Sequence, residues 1–164
     1  MKIKNQQHKK KNTIAGSVLV EILIAASIIL ITFLILTATL QKSVQVAQLS
    51  LARQQASLLA EEGAEAIKLI RDTSWASITA VPTNTTQYLV FSGGTWAVTS
   101  TPSSIDGFTR TITVDDVMRD ATDDIASNGT LDAGTKKITI AVSWQAKGVS
   151  RTENLVLYIA NIAS

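Results

Sequence analysis

The chain has 164 residues, 46% of them hydrophobic, with a mean hydropathy of +0.22. That is too apolar for a disordered protein and enough for one folded domain plus an additional apolar segment. There is no Cys and the only His is His8, which argues against disulfide frameworks, Cys/His zinc sites, thiol nucleophiles and a Ser-His-Asp triad. The formal charge is +2, but Lys2, Lys4, Lys9, Lys10 and Lys11 all precede Gly16, and beyond it ten basic residues face thirteen acidic ones, a net of −3. No basic patch with interleaved aromatics follows, so nucleic acid is set aside as a partner.

A basic start before an apolar run is the layout of a targeting segment. The run SVLVEILIAASIILITFLILTATL, Ser17 to Leu40, holds one ionisable residue, Glu21, and neither Pro nor Gly. As a helix its length is about 36 Å, against a hydrocarbon core of about 30 Å. The excess of Lys before it predicts a single pass with the N-terminus cytoplasmic and the remainder exported. A plain signal anchor, or a secretory signal cut near Thr37-Ala38-Thr39, leaves Glu21 unexplained, because a carboxylate near the bilayer centre costs roughly 2.5 to 3.5 kcal/mol and calls for a partner.

The stretch KKNTIAGSVLVEILIAASIIL resembles the class III signal of type IV pilins and type II secretion pseudopilins: a short basic leader ending in Gly, a cut, then an apolar helix with Glu at its fifth residue. Gly16, Ser17 and Glu21 stand at those places. The resemblance implies removal of residues 1–16 by a prepilin peptidase between Gly16 and Ser17, and N-methylation of Ser17. It also implies assembly through Ser17 and Glu21, the carboxylate neutralising the new amine of an adjacent subunit in the filament core. Opposite charges attract strongly in low dielectric, and either alone is expensive there. The implied partners are the peptidase, the cell membrane and other pilin subunits in a homo- or hetero-polymer. The implied location is the inner membrane and then a cell-surface filament or pseudopilus, serving adhesion, motility, DNA uptake or secretion. The family usually has Phe or another apolar residue where Ser17 stands. Many members carry a kinking Pro late in the membrane segment, and here no Pro precedes Pro82, which predicts a helix without a kink.

Residues 41–71, QKSVQVAQLSLARQQASLLAEEGAEAIKLIR, are rich in good helix formers, so the helix is expected to continue to residue 72 as an exported amphipathic half. Leu49, Ala52, Ala56, Leu59, Gly63, Ala66 and Ile70 recur at spacings of three and four, predicting one apolar stripe packed on the protein's own sheet, with Ala56 and Gly63 allowing close approach. Gln45, Gln48, Arg53, Gln54 and Gln55 form the solvated face.

After Asp72 the composition turns to Thr, Ser, Val, Ile, Gly and Asn, so the helix should stop near Thr73 to Trp75 and a β-rich head, 73–164, begin. Gly93-Gly94 between YLVFS and TWAVT predicts a tight hairpin. FTRTITVDDV (108–117), KKITIAVSW (136–144) and RTENLVLYIA (151–160) read as further strands. In the second of these Ile138, Ile140, Val142 and Trp144 share a buried face, with Thr139, Ala141 and Ser143 on the wetter one. Leu155 to Ile159, apolar on both faces, is expected to lie centrally or under a cover. The fold class is therefore α+β and pilin-like: one long N-terminal helix, half in the membrane and half packed on an antiparallel sheet of four or five strands.

Chemistry in the head is thin. The linker 119–137 offers Asp120, Thr122, Asp124, Asn128 and Asp132, a weak calcium candidate that lacks the Gly and Glu of an EF-hand and reads first as a solvated loop. Trp75, Trp96 and Trp144 read as core or interface. Asp115 and Asp116, adjacent in a strand, point to opposite faces and cannot readily share a substrate. No cofactor and no catalytic activity is expected. The function that follows is a structural subunit of a pilus or pseudopilus; the alternative is a membrane-anchored extracytoplasmic binding or sensor module that never polymerises.

Overall fold

The computed structural model describes the backbone of residues 7–162 and the side chains of residues 16–162. Lys2 and Lys4 of the expected leader, and Ala163 and Ser164, lie outside the described residues, as do the side chains of His8, Lys9, Lys10 and Lys11. The chain divides into two units, Met1–Gln48 and Leu49–Ser164.

Helix α1 runs without interruption over Gln7–Thr73. No Pro falls within it, and its only glycines are Gly16 and Gly63. In the first unit the described side chains are all exposed apart from the half-buried Thr37. An 18-residue window of this helix reaches a mean hydropathy of 2.9 with none of it buried, so the helix is long and apolar enough to cross a membrane.

In the second unit α1 ends at Thr73, at the composition change. The Thr73 hydroxyl donates to Leu69 O at 2.9 Å and the Ser74 amide to Ile70 O at 3.0 Å, which occupies carbonyls the helix end would leave open. A short helix α2, Trp75–Thr79, buries Ile78. The strands are β1 (Gln87–Ser92), β2 (Thr95–Thr99), β3 (Phe108–Arg119), β4 (Ile125–Ala126), β5 (Thr130–Ala146) and β6 (Val149–Ala160). They form one sheet in the order β2-β1-β3-β5-β6, with β4 paired to the end of β3 and the strand pairs antiparallel. The five-strand path agrees with the sequence reading; the two-residue β4 makes a sixth strand, too short to leave a periodic signature.

The expected hairpin forms, with Gly93 and Gly94 at φ 61 and 83, the geometry of a two-residue turn matched to strand twist. One face of the sheet meets α1. Cross-strand neighbours Ile112, Ile140 and Leu155 form one row there and Val114, Ile138 and Leu157 the next. Ile112, Val114, Ile138, Ile140 and Val142 are fully buried. Opposite them α1 presents Ala56, Ala60, Ala64, Ala66, Ile67 and Ile70. Gly63 allows the closest approach, since a Cβ there would stand 3.0 Å from Arg110 Cδ and 3.3 Å from Ile140 Cγ2.

Three expectations are corrected. The helical stripe is wider than its sequence reading and shifted in phase: Leu49 is 39% exposed, Leu59 is only partly buried, and Ala60, Ala64 and Ile67 are buried instead. A helix lying on a flat sheet is covered over a broad arc, so small residues beside the seam are enclosed too. The linker 119–137 is largely strand: β5 begins at Thr130 and pairs back to Val117–Arg119 after a register shift between Asp116 and Val117. Asp116 pairs with Lys136 but Val117 with Asp132, so Ala133, Gly134 and Thr135 have no partner on β3, and beyond this bulge Val117 is 2% exposed. Finally, β6 is an edge strand and not a central one, with Val156 and Tyr158 each 49% exposed. The helix covers one face of the sheet, so apolar residues on both sides of β6 are not both enclosed.

Candidate functional site

The residues singled out for processing and assembly lie in one helical stretch. Gly16, Ser17 and Glu21 all belong to α1 and are all exposed. Ser17 and Glu21 are four residues apart, a little over one turn, which places them on the same helix face. No atom approaches within 4 Å of the position a Cβ would take at Gly16. This stretch is helical because Val, Leu, Ile and Ala follow one another without a breaker, and its apolar residues point outward on every side; Val18, Leu19, Leu23 and Ile24 are 48–62% exposed.

Four hydroxyls of the apolar run are satisfied within the helix. Ser27 Oγ donates to Leu23 O at 2.7 Å, Thr32 Oγ1 to Ile29 O at 2.9 Å, Thr37 Oγ1 to Leu34 O at 2.9 Å and Thr39 Oγ1 to Ile35 O at 2.8 Å. Such back-bonding lets hydroxyls enter an apolar medium cheaply. Glu21 has no equivalent: among the described residues none pairs with it. The resemblance to the class III signal singled out Gly16, Ser17 and Glu21; that the hydroxyls of Ser27, Thr32, Thr37 and Thr39 bond within the helix, and Glu21 does not, needed coordinates.

The five calcium candidates fall into separate groups. Asp120 accepts from the Thr122 hydroxyl at 2.7 Å, the Thr122 amide at 2.8 Å and the Asp124 amide at 3.1 Å. These bonds, the Thr122 hydroxyl first, hold its carboxyl below the usual aspartate range. Asp132 sits across the strand end, where Arg119 Nε donates to it at 2.6 Å and the Gly134 amide at 2.9 Å. Its carboxyl is lowered mainly by Arg119, then by the Thr135 hydroxyl, and Arg119 is raised in turn by Asp132. Asn128 lies in the next turn. Among the described residues there is no group of three or more His, Cys, Asp or Glu placed to hold a metal ion. The arrangement ties the end of β3 to the start of β5, and Arg119 also donates to Asp123 O at 2.7 Å.

This predicts an acid-sensitive strand end. Both carboxyls are lower in the folded chain than the unfolded value of about 3.9, so their stabilising contribution is present above that pH and lost as pH falls through the folded values. Carboxyl titration by NMR is expected to give midpoints below about 3.9 for Asp120 and Asp132. A midpoint at or above it for Asp132 contradicts the pairing with Arg119.

The remaining candidates are structural. Asp116 pairs with Lys136, and Asp115 lies 3.9 Å from Lys137 Nζ, each opposite its cross-strand partner. Trp144 is buried against Phe108 with centroids 5.8 Å apart, and Trp75 packs partly buried on the core. Trp96 contacts Phe91 at 5.2 Å and lies over the Arg110 guanidinium at 5.2 Å. With Leu69, Val81, Pro82 and Val98 those aromatics line a groove of about 1030 Å³.

Arg110 escaped the sequence reading. Its side chain is 2% exposed, NH1 donates to Leu59 O at 2.9 Å and lies 3.2 Å from Glu62 Oε1, and its Nε and NH2 have no hydrogen-bond partner among the described residues. The available signal was parity, since Arg110 falls on the buried alternation of Phe108, Ile112 and Val114. It fastens β3 to the backbone of α1 beside Gly63. Compared with known proteins, the chain matches no family model, no curated protein and no solved structure.

Proposed function

We propose that the chain is a structural subunit of a type IV pilus or type II secretion-type pseudopilus, anchored in the inner membrane by α1 until a prepilin peptidase cuts between Gly16 and Ser17. The observation that carries this reading is the helix from Ser17 to Leu40. It is unbroken and almost wholly exposed, the hydroxyls of Ser27, Thr32, Thr37 and Thr39 are satisfied internally, and its single carboxylate has no partner among the described residues. An apolar face on every side of a helix requires lipid or other helices around it. A lone carboxylate on that helix requires a cation. Cleavage after Gly16 creates one, the Ser17 amine, four residues away on the same face, and packing many copies brings further amines within reach. The leader lysines keep the start of the chain cytoplasmic, and the β-rich unit is then carried outward on the filament. N-methylation of Ser17 would retain the positive charge on that amine.

The test is intact-mass and N-terminal analysis of material sheared from cells, which reads cleavage, methylation and filament residence together. A mature chain beginning at Ser17 is expected in the sheared fraction. Gly16→Leu places a bulky side chain at the cut and should leave the full-length species in the membrane with filament lost. A Gly16→Leu protein still trimmed to Ser17 would show that another protease acts. An intact lysine leader in wild-type protein would instead identify an anchored module that does not polymerise.

A further inference from the structure

Of the six asparagines in the chain, two are followed at the second position by a hydroxyl residue with a residue other than Pro between: Asn84-Thr85-Thr86 and Asn128-Gly129-Thr130. This spacing is the acceptor pattern for asparagine-linked glycan transfer, and it has meaning only on an accessible turn of an exported domain. Both stretches lie in the second unit, Asn84 between α2 and β1 and Asn128 between β4 and β5. Asn84, Thr86, Asn128 and Thr130 are all exposed.

The two differ in whether the backbone already explains the asparagine. Asn84 has φ 56, and its amide donates to Val114 O at 3.0 Å. Asn is among the few residues that tolerate this left-handed conformation, so a turn accounts for it without any modification. Asn128 has no positive φ, and among the described residues neither its side chain nor that of Thr130 makes a hydrogen bond. Gly129 between them is required by the fold, with φ 149 and a notional Cβ 2.0 Å from Arg119 O. The side chains of Asn128 and Thr130 thus have no hydrogen-bonding task among the described residues, on either side of a glycine that the backbone requires. The adjoining β4 has only two residues and pairs with β3 through Met118 and Arg119, so the turn stands at the end of the sheet.

We propose that Asn128 is a glycan acceptor, modified outside the cytoplasm by an oligosaccharyltransferase that uses a lipid-pyrophosphate-linked glycan. Asn128 Nδ2 forms the bond to the anomeric carbon, the bond from that carbon to the pyrophosphate oxygen breaks, and the lipid pyrophosphate leaves. The amide gives up one proton to the transferase, and nothing is oxidised or reduced. The inference rests on the proposed export of this unit and on no other part of the filament reading.

The test uses the full chain isolated from the envelope of the cells that make it. Cleavage after Arg119 and Lys136 releases DATDDIASNGTLDAGTK, which holds Asn128 and no other asparagine. Its mass is expected to exceed the unmodified value by that of a glycan. Thr130→Ala should remove the whole excess, and Thr130→Ser should retain it. Thr130 is exposed, so both substitutions leave the core intact. The inference is overturned if the wild-type peptide has only its unmodified or deamidated mass, or if sugar persists in Thr130→Ala, which would place it on a hydroxyl. The N-terminal peptide from the same digest separates the two proposals. An unmodified Asn128 in a chain trimmed to Ser17 overturns this inference and leaves the filament. A glycosylated Asn128 in a chain with its leader intact sustains this inference and overturns the filament.

Discussion

Glu21→Gln is expected to reduce sheared filament by tenfold or more at equal expression, while cleaved subunit accumulates in the membrane. The substitution keeps the shape of the side chain and removes its charge. Insertion should become slightly easier, because an ionised carboxylate no longer enters lipid. Assembly should respond in the opposite direction. The Ser17 amine drawn into a core of packed helices loses its counter-charge, and removing one partner of a buried pair typically costs about 3 to 5 kcal/mol. Each 1.4 kcal/mol is roughly a factor of ten in an equilibrium, so even partial desolvation would be visible in yield. No partner for Glu21 exists among the described residues of the same chain, so folding of the β-rich unit should be untouched. Wild-type filament yield from Glu21→Gln cells would eliminate the pairing and favour a plain anchor. A variant that assembles only alongside wild-type subunits would point to a minor or initiating subunit.

The second large effect concerns the seam between α1 and the sheet. Ile67→Ala is expected to destabilise the folded unit by about 2 to 5 kcal/mol, the range for truncating a large aliphatic side chain in a packed core. Ile67 is fully buried and belongs to one core with Ile112, Ile138 and Ile140. Leu58→Ala on the same helix should change stability by no more than about 0.5 kcal/mol, because Leu58 is 64% exposed. The measurement is denaturant unfolding of a soluble fragment beginning near Gln41, which keeps the whole of the second unit. Equal losses for the two variants would mean that the helix does not pack on the sheet through this face. An unfolded wild-type fragment would mean that neighbouring subunits supply part of its stability.

What the amino-acid order determined by itself is everything set by local chemistry. The end of α1 at Thr73, the Gly93-Gly94 hairpin and the alternation of Ile138, Ile140, Val142 and Trp144 are found where the spacing put them. Each depends on backbone freedom or side-chain period within a few residues. Tertiary structure decided whatever depends on which surfaces meet. Apolar residues on both sides of β6 look alike whether the strand is central or at an edge, and only the helix covering a single face leaves Val156 and Tyr158 outside. Ala60, Ala64 and Ile67 joined the core, and Leu49 left it, because a flat sheet encloses a broad arc of helix. Arg110 sits at a core position that its charge argues against. The position became habitable when Gly63 let the helix approach, when Leu59 O and Glu62 received NH1, and when Trp96 covered the guanidinium, partners 14 to 51 residues away in the chain. A contact across such distances leaves no periodic trace, because its energy comes from groups that only folding brings together.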